Sequence, residues 1–135
     1  MRERLRNVGL LLLRLGLGAM MALGHGLGKL TDFAEKAERF SDPLGVGSTA
    51  SLSLTIFAEL LCSILLMLGL GTRIAAFFLL FTMGVAAFVV HADDVFGVGE
   101  KALLYLAGYV LLLLTGGGRY ALDTLLPEKV RARIA

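Results

Sequence analysis

"RLGLGAMMALGHGLGKL", residues 14–30, holds an unusual mix of side chains. It lies in a run apolar enough for a lipid-embedded helix, yet it carries Arg14, His25, Lys29 and five glycines. A nucleotide loop fails on spacing. A Walker loop requires a glycine five residues before the one preceding the lysine, and Leu23 stands there; the dinucleotide fingerprint meets Lys29 three residues after Gly26. A secretory signal is imitated by the basic start and by "ALG" at 22–24. Arg14, however, cuts the uncharged core to Val8–Leu13, shorter than the usual ~7–15 residues, so a retained membrane helix is expected.

The rest of the chain agrees. It has 135 residues, 57% of them hydrophobic and 18% charged, with mean hydropathy +0.81. Charge gathers at the ends and between apolar runs, as in a membrane protein and unlike a soluble domain. A net charge of +2 with no basic patch interleaved with aromatics points away from nucleic acid. A lone cysteine, Cys62, excludes an intrachain disulfide and a CxxC motif.

Four apolar segments follow one another, at 8–27, 51–70, 74–90 and 101–118, with a charged tail at 119–135. A span needs about 17–25 helical residues. The fourth segment meets this only if Gly116–Gly118 or Glu100-Lys101 lie at the interfaces. The prediction is one all-α domain, a transmembrane four-helix bundle. Arg2, Arg4, Arg6, Arg73, Arg119, Lys129, Arg131 and Arg133 share one side, against Lys29, Lys36, Arg39 and Lys101 on the other. That asymmetry places both termini in the cytoplasm. The turn "LGLGTRI" at 68–74 makes the second and third helices antiparallel neighbours. In the first outer loop, Leu30, Phe33, Ala37 and Phe40 recur at helical steps, predicting a short amphipathic helix on the membrane surface that ends at Ser41–Pro43.

Within the first helix, Arg14, Gly18, Ala22, His25 and Lys29 fall on one stripe. Gly24 and Gly28 form a GxxxG on a neighbouring face, and small residues allow close helix approach in lipid. A charge at the depth of Arg14 costs at least ~2.5–3.5 kcal/mol on insertion scales, so a partner is expected. Glu59 on the second helix is the candidate, and Arg14–Glu59 reads either as an ion pair fixing two helices or as a ligand or proton site. An outer set comprises His25, Lys29, His91 and Glu100, with Asp93 and Asp94 nearby. These residues read as interfacial polar groups or as a site exchanging protons with a quinone head group, since histidine titrates near neutrality. Their spacing matches no compact metal motif, so no metal is assigned and no cofactor is certain beyond that quinone reading.

The order of these pieces resembles the DoxX family of small bacterial membrane proteins. It runs from "LRLGLGAMMALGHGLGKL" through "FAELLCSILLMLGLGTRIAA" and the histidine of "FVVHADD" to "GEKALLYLAGYVLLLLTGGGRYALDTLL". The resemblance covers most of residues 5–126 and implies a four-helix bundle in the bacterial inner membrane. It adds Arg73 and Asp123 as turn residues, and it departs at Ala121, where the family often has serine. Some relatives look like subunits of thiosulfate:quinone oxidoreductase; others associate with superoxide dismutase and a sulfurtransferase. The expected function is therefore an accessory subunit of a quinone- or thiol-linked redox system, with the bilayer and redox proteins as partners. Whether the chain is itself an enzyme stays open, as do a non-catalytic scaffold or lipid-like ligand binder and a small homo-oligomeric transporter.

Overall fold

A computed structural model describes residues 1–134, all helix, turn and loop among the described residues. Helix α1 runs Arg2–Thr31, a single turn α2 covers Phe33–Lys36, α3 is Ser48–Leu68 and α4 is Thr72–Val90. Then come α5, Glu100–Thr115, and α6, Glu128–Ile134. Helices α1, α3 and α4 are long and apolar enough to cross a membrane. The four long helices pack in a closed ring, α1 on α3, α3 on α4, α4 on α5 and α5 on α1. The chain termini and the α3–α4 turn share one end of this ring, called here the terminal end. The α1–α3 and α4–α5 connections share the other, the loop end.

The outer surface is apolar: Leu12, Leu23, Phe77, Phe88 and Leu114 are exposed. Water tolerates no such continuous patch, whereas lipid demands one. Inside lie Met21, Leu52, Leu66, Leu79 and Leu112. The α3–α4 turn forms where Gly69 and Gly71 adopt left-handed φ of 73° and 57°, open to glycine without steric penalty. Gly69 N–H bonds the Leu66 carbonyl and Leu70 N–H the Leu65 carbonyl, ending α3.

Two sequence expectations are corrected. The fourth helix stops at Thr115, because Gly116 and Gly118 turn the chain with φ of 72° and 75°. Its 16 residues make it the shortest of the four. The predicted surface helix is only the single turn of α2. It ends at Lys36, well before Ser41–Pro43, while Asp42 accepts N–H bonds from Val46 and Gly47 and bends the loop back instead.

The close-packing face of α1 also differs from the GxxxG expectation. Gly24 and Gly28 meet nothing; Gly18 and Gly26 meet α3. A Cβ on Gly26 would lie 2.8 Å from the backbone of Glu59 and Leu60. Gly26→Ala should therefore destabilise the protein by about 1–3 kcal/mol through overpacking. Gly24→Ala and Gly28→Ala should be neutral or stabilising by up to ~1 kcal/mol. Thermal unfolding in detergent checks the contrast; equal effects at the three positions would contradict this packing.

Candidate functional site

Two polar centres lie inside the bundle, and they divide the predicted residues differently from the sequence reading. Arg14 and Glu59 do not meet. Arg14, fully buried, lies level with the last turn of α3. Its guanidinium donates to the carbonyls of Leu66 and Met67 at 3.4 and 3.3 Å and of Tyr120 at 3.0 Å. The carbonyls at a helix C-terminus lack helical partners and carry negative dipole charge, so they suit a cation. Glu59 is a further seven residues up α3, ~10 Å at 1.5 Å per residue. Its carboxylate instead takes Lys29 Nζ at 2.5 Å. The physical reason is direction: helical side chains lean toward the helix N-terminus, so Arg14 leans away from Glu59 and Lys29 leans down onto it.

Around Arg14 the terminal end closes. Asp123, buried in a turn at Leu122–Leu125, accepts N–H bonds from Gly71 and Thr72 at 2.7 and 3.0 Å and the Thr72 hydroxyl at 2.9 Å. It thus caps α4 from a distant part of the chain. Asp123 N–H bonds the Gly69 carbonyl, and Asn7 Oδ1 accepts Arg119 N–H. Gly69 leaves the space for Arg14; a Cβ there would collide with the guanidinium. Arg73 is exposed and donates to the Leu114 carbonyl at 3.2 Å near the end of α5.

The loop end holds a cavity of about 510 Å³. Lys29 and Glu59 line it with His25, His91, Lys101 and Tyr105. Phe57, Phe78 and Phe81 form its α3–α4 wall. Of the outer set predicted from sequence, His25, Lys29 and His91 thus share one space, while Glu100 is exposed outside it. Asp94 is bound up in its own loop, accepting Val98 N–H at 3.1 Å. His25 stands edge-on to Tyr105 at 5.8 Å, and Tyr105 stacks on Tyr109 at 6.0 Å. Beside Lys29 lies a second, polar hollow of about 460 Å³ reaching Glu35, Lys36 and Arg39. Lys36 donates to Asp32, a hydrogen bond that holds the Asp32 carboxyl below the usual carboxylate range. Among the described residues no three metal-ligating side chains converge.

Sequence reading missed Tyr105 and Tyr109, though their spacing of four places both on one face of α5. It also missed three wide π-helical turns, at Ala22–Gly26, Phe57–Cys62 and Ala86–Val90. They carry His25 and Glu59 and end beside His91. Such insertions collect at functional sites.

Comparison with known proteins follows the same lines. Residues 9–92 match the DoxX family model. The inner membrane protein YqjF of Escherichia coli is 32% identical over 134 residues, covering 94% of this chain and 98% of that one. An uncharacterised Haemophilus influenzae protein is 34% identical over 130 residues, 90% of this chain and 92% of its own length. No solved structure matches. With helices able to span a bilayer, the chain is a multi-pass inner membrane protein.

The two centres differ in what their loss should cost. Asp123→Asn turns an amide group toward three donors that need acceptors, costing about 2–4 kcal/mol. Glu59→Gln costs less, ~1–2 kcal/mol, because Lys29 is partly exposed and can reposition its ammonium toward water. Melting temperatures in detergent test the order, and a larger loss for Glu59→Gln would reverse this assignment.

Proposed function

The chain belongs to the DoxX family, and from that premise we propose that it is an accessory subunit of a quinone-linked redox system. The loop-end cavity is its quinone site. One observation carries the reading: this cavity combines hydrogen-bond donors on its α1–α5 side with phenylalanine walls on its α3–α4 side. Its volume falls within the ~300–1,000 Å³ of small-molecule sites.

A quinone ring offers two carbonyl oxygens and no donor, so it needs N–H or O–H groups. Lys29 has three N–H bonds and gives one to Glu59. Tyr105 adds a hydroxyl, and His25 and His91 add ring N–H groups. Glu59 holds the ammonium in place. Reduction of a bound quinone takes two electrons and two protons. In this reading the histidines and Lys29 handle the protons, and a redox partner protein supplies the electrons. Of the two linkages expected, quinone is favoured over thiol because Cys62 is buried in the core, away from the cavity lining.

Purification with native lipids, followed by extraction and mass spectrometry, tests the reading. Quinone should be enriched over its ratio in the bulk membrane, and Glu59→Gln or Lys29→Met should reduce retention about tenfold, ~1.4 kcal/mol of binding. Lipid present without enriched quinone would overturn it, and a different enriched amphiphile would favour the ligand-binding alternative.

The same proposal places both termini in the cytoplasm and takes α5 as the fourth span, supported by the asymmetry of arginine and lysine between the two ends. A fluorescent protein fused after residue 134 should be bright, and alkaline phosphatase fused there inactive. The opposite pair of results would invert the topology.

A further inference from the structure

Resting on the quinone reading of the cavity, we infer that its occupant enters from the bilayer, through a lateral portal between α3 and α4, and therefore carries a long hydrocarbon tail. The side chains distinguish three of the routes into the cavity.

The first is through the roof, the loop over residues 40–46. It is apolar, with Phe40, Pro43 and Leu44 on the cavity, and it is pinned. Ser51 Oγ donates to the Ser41 carbonyl at 2.9 Å, Thr49 Oγ1 to the Ala37 carbonyl at 3.3 Å, and Asp42 holds the next turn. Opening it breaks several hydrogen bonds at once.

The second route is the polar hollow beside Lys29. It shares with the cavity the wall made by His25, Lys29, Phe40 and Ser41. Two members of that wall are tied, Lys29 to Glu59 and Ser41 to Ser51. Water can approach His25 and Lys29 there; a bulky molecule must break an ion pair.

The third route is the seam between α3 and α4. Leu54 and Phe81 line the cavity and are 56% and 51% exposed. Between the same helices, Phe57 and Phe78 meet edge-on at 5.3 Å, both partly exposed. Only side-chain packing closes this seam. Rotamer changes open it within nanoseconds to microseconds, with no hydrogen bond broken. A tail left in the seam remains in hydrocarbon, while the ring reaches the donors of α1 and α5.

The chain has no tryptophan, so single reporters are clean. Phe81→Trp probes the portal, and Leu111→Trp, on the exposed face of α5 and off the cavity lining, is the control. In nanodiscs titrated with menaquinone, the portal reporter should show saturable quenching and the control only a linear, collisional part. A second arm bridges Phe57→Cys and Phe78→Cys with a short bis-maleimide. Bridging should slow exchange of long-tailed quinone about tenfold or more, as expected where occupancy is governed by dissociation and entry steps. Quinone that stays enriched yet exchanges equally fast in bridged and unbridged protein would overturn the portal and leave the site reading intact. Linear quenching at both reporters, with no enriched quinone, would overturn the site reading and the portal with it.

Discussion

A guanidinium buried in a membrane bundle needs oxygens that cannot leave, and Arg14 finds them where α3 stops. Much of the terminal end depends on that match. For the carbonyls of Leu66 and Met67 to face α1, α3 has to end there, and the left-handed Gly69 ends it. For the guanidinium to fit, position 69 must lack a side chain. For Tyr120 to supply a third oxygen, the chain beyond α5 must return across the terminal end, and Asp123 secures that return by capping α4. One buried charge thus ties α1, the α3–α4 turn and the C-terminal segment together. In lipid, where apolar burial between helices adds little, such polar ties and close backbone packing carry much of the specificity.

The same accounting shows where ligand chemistry can reside. Asp123 already accepts three hydrogen bonds, and two guanidinium nitrogens of Arg14 already donate to three carbonyls. Arg14 Nε is buried without a partner, but a ligand at the other groups would have to displace a structural bond. At the loop end the balance is reversed. Lys29 has donors beyond the one on Glu59, and the histidine and tyrosine groups border open volume. Satisfied polar clusters hold a fold together; partly satisfied ones beside a cavity are where a second molecule gains most.

Much of this was legible in the sequence. Apolar run lengths and the basic flanks predicted four long helices, and the "LGLGTRI" turn predicted the α3–α4 hairpin. The unusual residues Arg14, His25, Lys29, Glu59 and His91 all proved to be interior or cavity-lining. The pairing among them depends on side-chain direction, which residue spacing does not give. An arginine and a lysine on one stripe both lean toward the N-terminus, and that lean takes one cation away from Glu59 and brings the other to it. The stripe through Gly18 and Ala22 is packed as expected, but the GxxxG on the neighbouring face is not, for a related reason. Spacing alone gave Gly24 and Gly28 as the motif, yet which face meets α3 depends on the whole ring. Glu100 fell outside the cavity because α5 begins with that residue on its exposed side.

The three wide turns explain how one bundle can be tight at one end and open at the other. On α1 the contact residues Gly18, Ala22 and Gly26 step by four. At 3.6 residues per turn each such step over-rotates by ~40°, so a regular helix would carry Gly26 off the α3 interface. The π-helical turn at Ala22–Gly26 takes up that rotation and keeps Gly26 against the backbone of Glu59. The turn at Phe57–Cys62 lies directly across from it, and the one at Ala86–Val90 ends at His91. Such turns replace regular i→i+4 bonds with i→i+5 ones and are rare for that reason. Three of them border one cavity, while none occurs around Arg14 and Asp123. The irregular geometry is concentrated where the polar groups have capacity to spare, which is the distribution expected if the loop end is shaped for an occupant and the terminal end for rigidity.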